Sequence, residues 1–244
     1  MMSNSEISNL EAKLSVRILE YTPNPEQIVA AAARLTQSSS TIEELLLKVS
    51  EKEQSRLITT LIEMGHLSPF EHVVYTFGIE GISRACSHQL VRHRIASYSQ
   101  QSQRYVSYEN VKFVVPPEIA RNSEDKLKFL TQCLKEFEVY LEFVNKGYKP
   151  EDARFLLPNA TETKIIITMN ARELLHFYEL RTCERAQWEI RQMAKQMLTL
   201  SYNTAPNIFK NAGPRCLRGP CTEGKYKCER NISEIRSEFE KIKR

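Results

Sequence analysis

The sequence predicts an α+β fold: a single domain with a mixed or antiparallel sheet flanked by long helices, followed by a short C-terminal extension. Three observations carry this. The segments "KLSVRILEY", "VVYTFGIEG" and "ETKIIITMN" have the alternating or β-branched content of strands. Longer stretches between and after them repeat apolar residues at helical spacing. No internal repeat or clear linker divides the 244 residues, so the main domain is placed at 1–212 and the extension at 213–244.

In "KLSVRILEY", Leu14, Val16 and Ile18 alternate onto one face. Pro25 opens "PEQIVAAAARL" as a helix, because a first-turn N–H has no helical partner to lose. "TQSSST" is a turn, and Thr41, with Glu44 three residues on, caps "TIEELLLKV". "EKEQSRLITTLIEMG" is a helix, "HLSPFEH" a loop and "VVYTFGIEG" a strand. "ISRACSHQLVRHR" has helical spacing, with Ile82, Ala85, Cys86 and Leu90 on one face, and delivers Gln89, Arg92 and His93 at its C-terminal end. "RYVSYENVKFVV" reads as extended until Pro116 and Pro117 stop it. "SEDKLKFLTQCLKEFEVYLEFVNKG" is a long amphipathic helix closed by Gly147. After "ETKIIITMN", the stretch "ARELLHFYELRTCERAQWEIRQMAKQMLTL" reads as helical, with Leu174, Leu175, Phe177, Tyr178, Trp188 and Ile190 as core. The tail "GPRCLRGPCTEGKYKC" is irregular before Ile232, Ile235, Phe239 and Ile242 recur at helical spacing.

Composition narrows the function. A net charge of +4 is too small for a general polyanion coat, so local clusters matter more than the total. No apolar run approaches a membrane span and the N-terminus lacks a signal-peptide stretch, which leads to the expectation of a cytoplasmic protein without membrane contact. Six irregularly spaced cysteines then read as mostly free thiols. With only 7 glycines and no GxGxxG or GxxxxGK[ST] pattern, a phosphate must be gripped by side chains rather than by a glycine-rich backbone cradle. Arginine forks suit that task.

One segment gathers those forks. From Gly81 to Tyr108 there is no acid, while Arg84, His88, Arg92, His93, Arg94 and Arg104 all fall inside. The bland reading is a solvated helix face with scattered salt bridges; the missing local acids favour an anion site. Ser102 could be a nucleophile with His93 as its base, but no carboxylate in the segment orients such a base, and a hydrogen-bonding role is preferred. Cys86, near Arg84, could be an activated thiol, though its apolar face makes it core. His66 and His72 flank Glu71 on a proline-bearing loop without the one-face geometry of a helical metal pair. Cys216, Cys221 and Cys228 could give three thiolates, yet no histidine follows to complete four ligands, so no metal is expected. The alternative from another class is a basic single-strand nucleic-acid-binding module with Tyr98, Tyr105 and Tyr108 as stacking platforms.

Arg92, His93, Arg94, Ser97, Ser102 and Arg104 match the pattern RHRxxSxNxxSxR, with Ser99 at the usual Asn position. The segment resembles the signature of the flavin-dependent thymidylate synthases. "HLSPFEH", "EDARFLLP" and "NARELLHFYELRTCERAQWEI" are similar to three further blocks of that family, and the likeness runs from about Val16 to Leu200. The resemblance implies reductive methylation of dUMP to dTMP, with methylenetetrahydrofolate as carbon donor and FAD, reduced by NADPH, as hydride source. It implies FAD contacts at His66, Ser68, Glu71, Arg92, His93, Arg94, Gln100, Asn170, Arg172 and His176, the last where the family often has Asn. It implies dUMP contacts at Gln89, Arg92, Gln100, Gln101, Ser102, Gln103, Arg104, Arg154 and Arg181, with Gln100 replacing a common Glu. Arg181 is the catalytic candidate, set against the pyrimidine ring, and Arg185 stands where some members carry His. A homotetramer with sites shared between subunits, and no nucleic-acid partner, is also implied. No matched position lies beyond Arg185, so the extension is expected to be dispensable for flavin binding.

Overall fold

A computed structural model describes residues 3–105 and 111–243. In chain order it contains α1 (Asn4–Ser8), β1 (Ser15–Tyr21), α2 (Pro25–Leu35), α3 (Ile42–Lys48), α4 (Glu51–Met64), β2 (Val74–Ser83), α5 (Arg84–Leu90) and β3 (Ala96–Gln100). There follow α6 (Pro117–Ala120), α7 (Ser123–Asn145), α8 (Pro150–Ala153), β4 (Glu162–Asn170), α9 (Ala171–Arg181), α10 (Trp188–Thr204), α11 (Pro206–Phe209) and α12 (Ile232–Ile242). The four strands form an antiparallel sheet in the order β1-β2-β4-β3, and the fold is α+β as the sequence predicts.

Local chemistry sets the element ends. Thr41 with Glu44 and Ser50 with Glu53 form reciprocal capping boxes at the starts of α3 and α4, so backbone donors with no helical partner are satisfied. Gly65 closes α4 at φ 74°, a left-handed conformation that glycine adopts without strain. Asn122 caps α7 by accepting from the N–H groups of Glu124 and Asp125 at 2.8 and 3.2 Å.

The structure departs from the sequence expectations in four places. "HLSPFEH" is not plain loop: Ser68–His72 form a 3₁₀ turn, which Pro69 suits because its φ is already fixed. Helix α5 stops at Leu90, so Arg92 and His93 lie just past its end. Extended structure comes earlier than "RYVSYENVKFVV", at β3; Phe113 makes only isolated bridges, and positions 106–110, with Tyr108, lie outside the described residues. The helical stretch after β4 is two helices. Gln187 interrupts it, its side-chain oxygen accepting from Glu189 and Ile190 at 3.0 and 3.2 Å to start α10 afresh. Arg191 donates to the Glu184 carbonyl at 2.7 Å, serving a carbonyl that the break leaves without its helical partner.

The chain groups into two compact units. The first holds residues 1–15, 78–92 and 98–166. Its core is α7 packed through Leu130, Phe137 and Tyr140 against Phe113, Val115 and Ile7. The second holds residues 16–77, 93–97 and 167–244. Its core brings Tyr75, Tyr178 and Phe209 together edge to face, with ring centroids 5.7 and 5.9 Å apart about Phe209. The buried phenols are satisfied: Tyr75 pairs with Thr204 at 2.9 Å and Tyr178 with Ser201 at 2.7 Å. The extension is anchored here. Ile235 and Phe239 of α12 are buried, Lys195 pairs with Glu238 at 2.5 Å, and Lys243 donates to the Lys210 and Ala212 carbonyls at 2.7 Å each.

Gly81 carries the most exacting backbone position. It has φ 74°, and a Cβ there would lie 2.0 Å from the Lys13 carbonyl oxygen. Both strain and collision oppose a side chain, so Gly81→Ala is expected to cost about 3 kcal/mol or more in urea unfolding. A loss within about 0.5 kcal/mol of zero contradicts this.

Candidate active site

The best-ordered polar constellation starts at the β4–α9 junction, in the second unit. Asn170 ends the strand and caps the helix, its side-chain oxygen accepting the Glu173 N–H at 2.9 Å. The cap fixes the first turn of α9 and hence Glu173, which is buried although it is an acid. Its Oε1 lies 3.0 Å from Nδ1 of His93, itself only 5% exposed. The other ring nitrogen, Nε2, accepts the Nε–H of Arg181 at 2.9 Å. Only the neutral, Nδ1-protonated imidazole satisfies both neighbours. Burial pushes the His93 pKa below its ordinary value; the hydrogen bond to Glu173 opposes that, and the charge of Arg181 reinforces it. Phe177 packs edge to face on the ring at 4.9 Å, and the ring of His176 lies 6.1 Å away.

This arrangement bears on one alternative left by the sequence, Ser102 as a nucleophile. His93 has both nitrogens engaged, so it cannot serve Ser102 as a base. Arg181 is not a surface-helix residue paired with Glu179 or Glu184. Glu179 is taken by Arg215 and Arg218, and Glu184 by Arg191, Lys195 and Arg230.

Beside His176 the same unit opens a cleft of about 990 Å³. Leu67, Ile95, Leu175 and Leu217 give it apolar surface, and Asn170, Arg172, Arg215 and Arg218 give it donors. Gly65, Leu67 and Arg172 also line a second cleft of about 790 Å³ that carries His66 and Ser68. Arg172 is held by Glu71 at 2.5 Å, and Arg218 by Glu179 and the Asn211 carbonyl. Glu63, Glu71, Glu173 and Glu179 line the large cleft as well; its apolar side chains suit a flavin ring and its arginines a pyrophosphate. Arg94 is exposed and makes no ion pair among the described residues; the same holds for Arg92 in the first unit.

The first unit holds the remaining candidates. Arg104 meets Glu151 through Nε at 2.9 Å and Nη2 at 2.7 Å, and Arg154 donates to the Glu151 carbonyl at 3.1 Å. An acid absent from the basic segment is thus supplied from α8. Ser102 accepts the Arg104 N–H at 3.1 Å, Gln100 donates to Thr163 at 3.1 Å, and the Gln101 N–H donates to the Lys164 carbonyl at 2.9 Å. Gln103 is buried, and its Nε2 has no hydrogen-bond partner among the described residues. A buried amide donor left so is costly unless a ligand oxygen meets it. Gln89 is half-buried near the end of α5, and Cys86 is fully buried in the core.

Sequence reasoning missed Arg215, Leu217 and Arg218, which lie in the tail beyond every matched position yet line the cleft. The signal was present as two arginines around a leucine in "GPRCLRGP", but no spacing rule ties an irregular loop to a helix far upstream. Arg185 is exposed and lies outside that cleft.

Comparisons with known proteins place the chain in a family. Residues 17–207 match the family described as thymidylate synthase complementing protein. A flavin-dependent thymidylate synthase of Geobacter sulfurreducens is 50% identical over 231 residues, spanning 94% of this chain and 99% of that one. Another, of Pyrococcus furiosus, is 42% identical over 236 residues, covering 93% and 97%. Among solved structures, the UMP/dUMP methylase PolB of Streptomyces cacaoi, bound with 5-Br dUMP, superposes with a TM-score of 0.73 at 25% identity, over 82% of this chain and 94% of that one.

The His93 pair makes stability depend on pH. Its folded pKa lies below the unfolded value of about 6.5, so between the two the unfolded chain binds more protons. Stability is therefore full above about pH 6.5 and is lost as pH falls toward the folded value. Urea midpoints measured from pH 7.5 downward are expected to drop in that window, and the drop to vanish in His93→Asn. An identical pH profile in the variant contradicts the assignment.

Proposed function

The chain belongs to the flavin-dependent thymidylate synthase family, and from that membership we propose how its side chains divide the work. The enzyme converts dUMP to dTMP with methylenetetrahydrofolate as the one-carbon donor. FAD, reduced by NADPH, supplies the hydride that completes the methyl group. Ser68, His66, Glu71, Asn170, Arg172 and His176 bind the flavin, with Arg92, Arg94 and Gln100, while His93, buried with both nitrogens engaged, acts through Arg181 instead of touching the flavin. Gln89, Arg92, Gln100, Gln101, Ser102, Gln103, Arg104 and Arg154 bind dUMP. Arg215 and Arg218 join the flavin's phosphate contacts, since they line the cleft that carries Arg172.

Arg181 is the catalytic residue. Carbon 5 of the pyrimidine must attack an electrophilic carbon, so negative charge builds on the ring and needs a fixed cation at its carbonyl edge. The observation that carries this reading is the bond from Arg181 Nε to His93 Nε2. With Nε committed to a buried and neutral imidazole, the guanidinium plane is set before substrate arrives, and little reorganisation remains for the reaction. His93 keeps the plane in place, and Glu173 keeps His93 in the required tautomer. A covalent route through Cys86 has no support, because that thiol is fully buried. Nor does anything favour nucleic-acid binding: Tyr98 spends its hydroxyl on the Leu90 carbonyl at 3.0 Å, and Tyr108 lies outside the described residues.

No helix among the described residues is long and apolar enough to cross a membrane. Assembly as a homotetramer with shared sites rests on the family resemblance, and exposed Phe155, Leu47 and Ile42 offer apolar surface for a subunit contact. Sedimentation equilibrium tests it; a monomer at micromolar concentration rejects it.

Two substitutions test the division of labour. Arg181→Lys keeps the charge but loses the fork that meets both His93 and the ring. It is expected to retain FAD and its reduction by NADPH, while dTMP formation falls ~10²–10³-fold. Unaltered turnover refutes the catalytic role. Ser102→Ala removes one substrate hydrogen bond, so the dUMP KM is expected to rise up to about tenfold with turnover preserved. A folded, flavin-loaded variant without turnover contradicts that role.

A further inference from the structure

Four of the six cysteines meet around one cavity of about 390 Å³ in the second unit: Cys183, Cys216, Cys221 and Cys228. Cys183 lies at the break between α9 and α10, the other three on the irregular tail loop. The sequence offers the tail thiols only three ligands, and the fold supplies the fourth through the interruption that Gln187 enforces. We propose that these four side chains bind one zinc ion as a tetrathiolate clasp that fastens the tail to the catalytic helices.

Convergence on a single centre is the first support. Cys183 interacts electrostatically with Cys228 and Cys221, and Cys216 with Cys183, Cys221 and Cys228. All four side chains line one cavity rather than two, which suits a single four-coordinate ion.

The loop itself is the second support. Between Gly219 and Asn231 no side chain is buried, and no core of its own holds this stretch. Segments of this kind are commonly ordered by a metal or a covalent crosslink. Among the described residues no group of three or more His, Cys, Asp or Glu side chains is set to hold a metal ion, so the clasp requires the four thiols to close on the ion. Arg185, Lys227 and Arg230 line the cavity together with Glu184, Glu223 and Glu229, so its charged lining is balanced, with Glu184 matched by Arg230 at 2.8 Å. In the binding step four S–H protons leave to solvent as four Zn–S bonds form, with no change of oxidation state.

The clasp has a consequence for the cleft. Cys216 stands between Arg215 and Leu217, both of which line the large cleft, so the metal fixes the turn that presents them. The proposal itself does not depend on the flavin reading.

The reduced full-length enzyme is expected to contain about one zinc per chain by elemental analysis. After removal of the metal, cobalt(II) should give thiolate-to-metal charge-transfer bands that saturate at about one equivalent. Cys183→Ser and Cys228→Ser, each checked for native circular dichroism, should weaken metal binding about 100-fold or more. Metal-free protein should be cleaved by trypsin between residues 219 and 231, and zinc should protect it. Absence of stoichiometric metal, unchanged cobalt binding in both variants, or a thiol shortfall in denatured, unreduced protein indicating disulfides overturns the proposal. Flavin content, read separately by absorbance, distinguishes a failed clasp from a failed flavin site.

Discussion

A buried acid beside a buried histidine is the constraint around which the second unit is arranged. Glu173 and His93 are both nearly out of water, and a charge left unpaired there would be strongly destabilising. The structure resolves this with a neutral imidazole that donates to the acid on one side and accepts from Arg181 on the other. Each neighbour depends on the next: the Asn170 cap fixes Glu173, Glu173 selects the tautomer, and the tautomer presents the acceptor that orients Arg181. Loss of any member leaves a buried polar group without its partner, so the chain acts as one unit rather than as three separable contacts.

Much of the fold was legible because its signals are local. Thr41 with Glu44, Gly65 and Gly147 mark helix ends through the conformations and side-chain bonds they allow, and the β-branched content of "KIIIT" marks β4, which buries one side through Ile165 and Ile167. What was not legible depends on partners distant in sequence. Nothing near His93 announces Glu173, and nothing near Arg104 announces Glu151, so a segment without acids looked more exposed to ligand than it is. The break at residues 182–187 was hidden because its cap is a glutamine, a residue that reads equally well as helix interior.

The tail shows the same limit at larger scale. Read along the chain, residues 213–244 look like an addition, since they carry a loop, a run of cysteines and one amphipathic helix. In the fold α12 buries Ile235 and Phe239, and its partners return it to the segment before it through Lys243 and the Lys210 and Ala212 carbonyls. Burial pushes the Lys243 amine down to about 8, a cost that the two carbonyl acceptors offset only for the charged form. Gly213, at φ 136° and walled by Leu217 and Phe239, is where the chain turns back, so any side chain there would push the turn away from α12. The tail is therefore part of the packing of its unit.

The polar pairs differ in how easily they yield, and this bears on how an anion is received. Arg172–Glu71 and Arg104–Glu151 sit at half-exposed positions, where water screens the attraction and the net contribution of a pair is small. Such an acid orders the guanidinium in the absence of ligand yet gives way to a phosphate, which offers more charge and the same two-point geometry. The His93–Glu173 pair, at 4% and 7% side-chain exposure, has no comparable freedom, because breaking it strands an acid in the interior. The exposed arginines can thus exchange partners, while Arg181 answers to a partner that stays in place. The contrast between exposed and buried pairs therefore separates guanidinium groups that can change partner from one that cannot.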